Sequence, residues 1–283
     1  MSFRIRLLLP LLALFVVAVG YPLAFSFYIS LTNYKITNRF DVKFSGLDRY
    51  ADALHDSAYW SALTVTFTFV LIAVFLELAL GLCIALALQR QKRVRDFTRS
   101  FLLSPMFITP IAVGLMFRFL LNQQLGVIPT LLSRFGISYD FFGPGRAFFS
   151  IVLIDVWQWT PFMVLLLLAG LESLPRQPFE AARIDGASTF YTFRRVTLPM
   201  LSSVLVVAIL IRGLDALKVF EYVYAITRGG PGTETQTIQY YVYNTGITFF
   251  RLASASAMAY GLLAVVMFLV ILLFRRVERA RRS

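Results

Sequence analysis

Six stretches of twenty or more mostly apolar residues dominate this chain: about Leu7 to Leu31, Trp60 to Leu88, Phe101 to Leu121, Ala147 to Leu171, Met200 to Ala225 and Leu252 to Phe274. Roughly twenty such residues, wound as a helix, match the thickness of a bilayer's hydrocarbon core. A helix also satisfies its backbone polar groups internally, as that core demands. The expected fold is an all-α polytopic membrane protein with about six transmembrane helices. A soluble chain is excluded, because 58% hydrophobic and 15% charged residues over 283 positions cannot wet a globular surface. The first run, preceded by Arg4 and Arg6 and offering a small-residue cleavage pattern at Ala18-Val19-Gly20, admits a signal-peptide reading. Its length exceeds a signal's apolar region and favours a spanning helix with Pro10 and Pro22 inside it.

Lysine and arginine are distributed unequally between the loops. Sixteen lie before the first run, in Gln89 to Arg99, in Glu172 to Pro199 and after Phe274, against eight in the longer alternate loops. The positive-inside rule then places both termini and the Glu172–Pro199 loop in the cytoplasm. The net charge of +12 follows from this asymmetry, so no nucleic-acid partner is expected. No connection is long enough for a soluble domain, and one transmembrane domain over 1–283 is expected.

Within the cytoplasmic loop, Pro175 and Pro178 suit a helix start and Phe179 to Ile184 supply nearly two turns. Gly186 permits a backbone geometry closed to other residues, and Ser188 can cap a second short helix. Ala181, Ala182, Gly186 and Ala187 leave backbone uncovered, while Glu180, Arg183 and Asp185 offer charge. A removable dock for a cytoplasmic partner and an interfacial amphipathic helix both fit these residues.

The full spacing runs Glu180-Ala181-Ala182, three residues, Gly186, nine residues, Val196, one residue, Leu198-Pro199. It resembles the loop by which permease subunits of ABC importers engage their ATPases, with valine where isoleucine is usual. Asp185-Gly186-Ala187, Asp155 to Phe162, Leu171 to Pro175, Asp215 to Phe220 and Gly229-Gly230-Pro231 are similar to the sugar permeases of the maltose and glycerol-phosphate type. Arg228 departs from the pattern, standing where that family often has glycine. A second departure, the lack of the extra N-terminal helices and inserted outer domain of the larger maltose-type subunit, points to a compact six-helix subunit. The resemblance implies a permease of a type I importer in a bacterial inner membrane. Its implied partners are a second homologous permease, two ABC ATPases, an extracytoplasmic solute-binding protein, membrane lipid and a carbohydrate. ATP and magnesium would be bound by the ATPases. The chain agrees in having no Gly-Lys pair, hence no Walker-type phosphate loop, and no cofactor of its own is expected.

A charge at mid-bilayer costs about 2.5 to 3.5 kcal/mol on insertion scales, so Glu77, Asp155, Arg212 and Asp215 each require a partner or a wet cavity. Arg212 and Asp215, three apart on a helix, can pair. Asp155, Gln158 and Trp159 share a face, and with Trp157 they combine hydrogen-bonding and stacking surface suited to a sugar. Asp155, Trp157, Gln158, Trp159, Arg212 and Asp215 are the candidate translocation path, with an aromatic belt as the competing reading of the tryptophans. Intramembrane carboxylates also admit a proton-coupled secondary carrier. Gly229, Gly230 and Pro231 are the candidate contact for a binding protein, or else a simple turn. Prolines 105, 110 and 161 are expected to bend their helices, and Arg118 to snorkel toward the outer interface. Cys83 is expected to be a buried small hydrophobe and His55 a solvated surface residue, so neither a metal centre nor a catalytic group is expected.

Overall fold

The computed structural model describes residues 3–37, 42–90 and 101–282. These are helical almost throughout, with an isolated antiparallel bridge between Thr32 and Phe44. In chain order we label the helices α1 (Phe3–Phe15), α2 (Tyr21–Ser30), α3 (Asp48–His55), α4 (Ser57–Arg90), α5 (Pro110–Leu120), α6 (Val127–Arg134) and α7 (Ala147–Ser173). They continue with α8 (Gln177–Ile184), α9 (Thr189–Thr192), α10 (Leu198–Ala216), α11 (Ile238–Tyr243) and α12 (Leu252–Arg282). The basic stretch after Arg90 falls outside the described residues, as does Arg39.

Among the described residues, five helical stretches are long and apolar enough to cross a membrane: Pro10–Ser30, Ser57–Gln89, Ala147–Ser173, Thr189–Ala216 and Leu252–Ile271. The sixth expected span is not one helix. Phe101–Phe107 and Pro110–Leu120 meet at 104°, because Pro105 and Pro110 cannot donate and Thr109 adopts an extended conformation ahead of Pro110. The simple bend expected at these prolines is therefore a full break, whereas Pro161 sits inside a continuous α7. The fifth span also ends earlier than hydropathy suggested. Its helix stops at Ala216, where Leu217 and Lys218 turn the chain, and does not reach Ala225.

Contacts divide the chain into two units, Met1–Leu63 with Ile238–Ser283, and Thr64–Thr237. In the first, α12 packs on α2 and α3. Small buried residues Ala253, Ala255, Ser256 and Ala257 let helices approach, as is usual where lipid offers no hydrophobic drive to association. Tyr260 donates to the carbonyl of Leu23 (2.6 Å), and its ring meets Phe27 edge-on at 5.3 Å. In the second unit, α7 is the central helix, with 67% of its apolar window buried. Gly81 of α4 makes this possible, since a Cβ there would lie 2.7 Å from Met163. Ala85, Leu88, Val164, Leu167, Leu171 and Leu201 form an apolar core along this contact. Cys83 is exposed rather than buried, because it lies two residues from Gly81 and so on the opposite side of α4.

Candidate functional site

Three helices of the second unit each bring charge to one point: Glu77 from α4, Asp155 from α7, and Arg212 with Asp215 from α10. Arg212 is 1% exposed, Glu77 0% and Asp155 2%, so none can be solvated by bulk water. The Arg212 guanidinium pairs with Glu77: Nη2 donates to Oε1 at 2.9 Å, while Nε lies 2.8 Å from Oε2 as an ion pair without hydrogen-bond alignment. Nη2 also donates to Asp155 in a short contact, and Nη1 reaches Asp215 at 3.3 Å. The pairing of Arg212 with Asp215, three residues on, is present, but it is the weakest of the three. Planar, forked donors suit arginine to this role, since one guanidinium donates to three carboxylates on separate helical turns. The face of Trp159 lies 5.2 Å from the guanidinium carbon, adding a cation–π contact from the fourth side.

Beside this cluster runs a second polar chain. Gln158, 0% exposed, donates through Nε2 to the carbonyl of Ile108 (2.7 Å) and accepts at Oε1 from the Tyr222 hydroxyl (2.6 Å). Ile108 is the residue at the break between Phe107 and Pro110, so a backbone acceptor freed by the broken helix is satisfied by the next span. Trp157 and Trp159 part company. Trp159 is half-buried against Arg212, whereas Trp157 is 41% exposed and packs edge-on to Phe117 at 5.2 Å. Asp155, Gln158, Trp159, Arg212 and Asp215 are thus brought together, and Trp157 stands apart. Tyr222 and the Ile108 carbonyl were not singled out from sequence, and no local spacing points to either. Arg118 does not simply snorkel: its Nη1 donates to the carbonyl of Ala225 at 3.0 Å.

The Glu180 loop is a helix, turn and helix. α8 ends at Ile184, Gly186 takes φ +67°, and Ser188 accepts from the Tyr191 amide (3.2 Å) to cap α9. A Cβ at Gly186 would touch nothing, so the glycine is required by its backbone angle alone. Ala182 is buried and anchors α8, while Glu180, Ala181, Asp185 and Gly186 are exposed and Ala187 is half-buried. Ile184 is 86% exposed and Phe190 71%, both apolar and neither buried.

At Arg228 the backbone takes φ 52°, ψ 38°, the left-handed conformation natural to glycine. Gly229 follows at φ +88°, and the Gly230–Pro231 peptide is cis. Thr235 closes this turn, donating to the carbonyl of Gly230 (2.8 Å) and meeting the Thr227 hydroxyl at 2.7 Å. Glu234 then accepts from the Gly145 amide (2.9 Å), fixing the turn to the segment before α7. His55 is exposed, as expected, its Nδ1 lying 2.8 Å from the Ala51 carbonyl. Among the described residues no group of three His, Cys, Asp or Glu could hold a metal ion.

Comparison with known proteins gives a consistent picture. Residues 77–283 match the family described as binding-protein-dependent transport system inner membrane component. The chain is 36% identical over 254 residues to a probable ABC transporter permease of Sinorhizobium fredii, covering 89% of this chain and 82% of that one. It is 37% identical over 240 residues to a trehalose/maltose transport system permease of Thermococcus litoralis, covering 84% and 81%. In fold it resembles a chain of a bacterial ABC transporter that imports the acidic polysaccharide alginate (TM-score 0.85, 21% identity, 98% and 95% covered). The same holds for the alginate transporter in complex with its pentasaccharide-bound periplasmic protein (TM-score 0.84, 21% identity, 99% and 95% covered).

Proposed function

The chain belongs to the binding-protein-dependent inner membrane components of ABC transporters, and on that premise we propose that it forms half of the translocation path of an ATP-driven carbohydrate importer. The observation that carries this reading is the exposed loop from Gln177 to Thr192, capped at Ser188 and turned at Gly186. Glu180, Ala181, Asp185 and Gly186 offer a partner bare backbone flanked by charge, and Ala182 ties the element to its own subunit. A cytoplasmic ATPase docks there, hydrolyses ATP with magnesium on its own chain, and moves this helix pair. Both termini lie in the cytoplasm, as the excess of basic residues on that side supports. A second permease completes the path, and a solute-binding protein delivers substrate to the outer face near Gly229, Gly230 and Pro231.

Within the path, Trp159 supplies stacking surface and Asp215, half-exposed, supplies a hydrogen-bond acceptor. Asp155, Gln158 and Arg212 act behind them, holding Trp159 in place. A neutral sugar suits these residues, and the Thermococcus litoralis relative is named for trehalose and maltose. Arg212 is already matched by Glu77 and Asp155, so it leaves no unopposed cation for a phosphate. The proton-coupled carrier has no support, since the carboxylates it would use are bound to Arg212.

The test is ATP hydrolysis by the reconstituted complex, with its two ATPases and loaded binding protein. Gly186→Asp and Glu180→Lys should abolish stimulation while the subunit assembles normally. Stimulation at wild-type levels in both variants would sink the docking role.

A further inference from the structure

A polar cleft of about 530 Å³ lies in the first unit, walled by the segment after α2, by α3, and by the α11–α12 corner. Its charged lining is Lys35, Arg49, Arg251, Asp52 and Asp56, and both acids are already engaged. Asp52 pairs with Arg49 at 2.9 Å. Asp56 caps α4 through the Ala58 amide (2.9 Å) and accepts from the Tyr241 hydroxyl. Lys35 and Arg251 form no ion pair among the described residues. Yet the backbone forces them together: the Ile36 amide donates to Phe250 (3.2 Å) and the Ala253 amide to Tyr34 (3.2 Å). Phe250, immediately before Arg251, sits at φ 58°, a left-handed conformation unfavourable for a residue with a side chain. Two cations with no ion-pair partner among the described residues are thus held beside Tyr34, Tyr241 and Phe249 at a strained corner. Strain of this kind persists where surrounding structure over-determines it, often at clamps for a ligand.

We propose that this cleft receives a carboxylate side chain from the rim of the solute-binding protein, gripped by Lys35 and Arg251 against Tyr34 and Phe249. This rests on the importer reading above and on its orientation, which puts α3 and the α11–α12 corner on the outer side. Charge complementarity is the argument for a protein-borne anion over an apolar partner. Such pairs steer encounter and set register more than they add raw affinity, so their signature is a salt-sensitive docking constant.

The experiment uses the complete reconstituted importer and follows ATPase stimulation as the loaded binding protein is titrated in. Lys35→Glu and Arg251→Glu should each raise the half-maximal concentration about tenfold or more, with the maximal rate unchanged, because like-charge contact is repulsive. The milder Lys35→Gln and Arg251→Gln should raise it about threefold and flatten its dependence on salt between 50 and 200 mM. An acidic residue of the binding protein changed to lysine should restore docking to the Arg251→Glu importer. Unchanged titrations in all four variants, beside a wild type that responds normally, would overturn the cleft while leaving the importer reading intact. A wild type that the binding protein never stimulates would overturn that reading, and the cleft with it. Free glucuronate at millimolar concentration is the second arm: if it competes with docking in wild type but no binding-protein acid can be matched to Arg251, the cleft serves a soluble anion and the proposal is wrong.

Discussion

At Arg212 four charged side chains from three helices converge on one point, three of them almost wholly buried. Between Gln177 and Thr192, Glu180, Arg183 and Asp185 are exposed at a turn with no apolar cover. The first region spends its charges on each other, and the second keeps them available. A buried ion group of this kind offers little net stability over an apolar packing, yet breaking it is costly, since an orphaned charge remains inside. The exposed loop has the opposite profile: substitutions there cost the fold little and, on the docking role proposed above, should cost the partner much. Position and burial, not residue type, decide which glutamate is held inside the fold and which is left available.

The contrast is broken most severely at its buried end. Arg212→Ala leaves Glu77 and Asp155 facing each other without a cation and should destabilise the subunit by about 3–5 kcal/mol, read as lost detergent-solubilised yield and a lowered Tm. Replacing Arg212, Glu77 and Asp155 together by apolar residues of similar volume should recover most of that stability. If the triple variant is as unstable as Arg212→Ala, the cluster is not the closed set described here. Gly186→Asp comes next: forcing a side chain into the left-handed region costs roughly 1–2 kcal/mol, confined to an exposed turn. Global Tm should hold within a few degrees while ATPase stimulation is lost, and a collapse of Tm would erase the distinction between the two regions. Ser188→Ala removes the cap of α9 and should cost about 1 kcal/mol of local stability, measurable as faster amide exchange from Thr189 to Thr192. Equal exchange in both proteins would remove the cap from the account of the loop.

The smallest effect tests a third place, outside the membrane. Burial, then the hydrogen bond to Asp56, pushes the Tyr241 phenol from 10.0 up to about 12, with Arg251 opposing. The folded chain therefore keeps a proton that the unfolded chain gives up. Stability from this group is complete below pH 10 and is lost as pH rises toward 12. Tyr241→Phe should flatten the alkaline fall in Tm between pH 9.5 and 12, and an identical fall in both proteins would count against the contact.

Much of this was legible in the residues themselves. Five spans follow from hydropathy, and the Glu180 loop follows from its prolines, Gly186 and Ser188, because caps and turns are local devices. Arg212 with Asp215 was also within reach, being one helical turn apart. Glu77 and Asp155 were not, as partners: they stand 135 and 57 residues from Arg212, and only tertiary packing brings them there. The two prolines near Ile108 announced an interruption, but neither its 104° nor the donation from Gln158 that satisfies the freed Ile108 carbonyl could be read from them. The end of α10 was missed because apolar residues continue beyond Ala216 while the helix does not. Arg228 is a different case: at a position where the resembling pattern has glycine, the arginine itself takes the left-handed conformation that glycine adopts freely.

Gln158 finally bears on what this position can become. Its one side chain must give a proton to Ile108 and take one from Tyr222, within 2.7 and 2.6 Å, while 0% exposed. An ionised glutamate loses the donor, lysine and arginine lose the acceptor, leucine and methionine lose both, and asparagine offers both but is one methylene short. Few side chains can fill both roles at this reach, so the site admits far less change than the exposed face of α7.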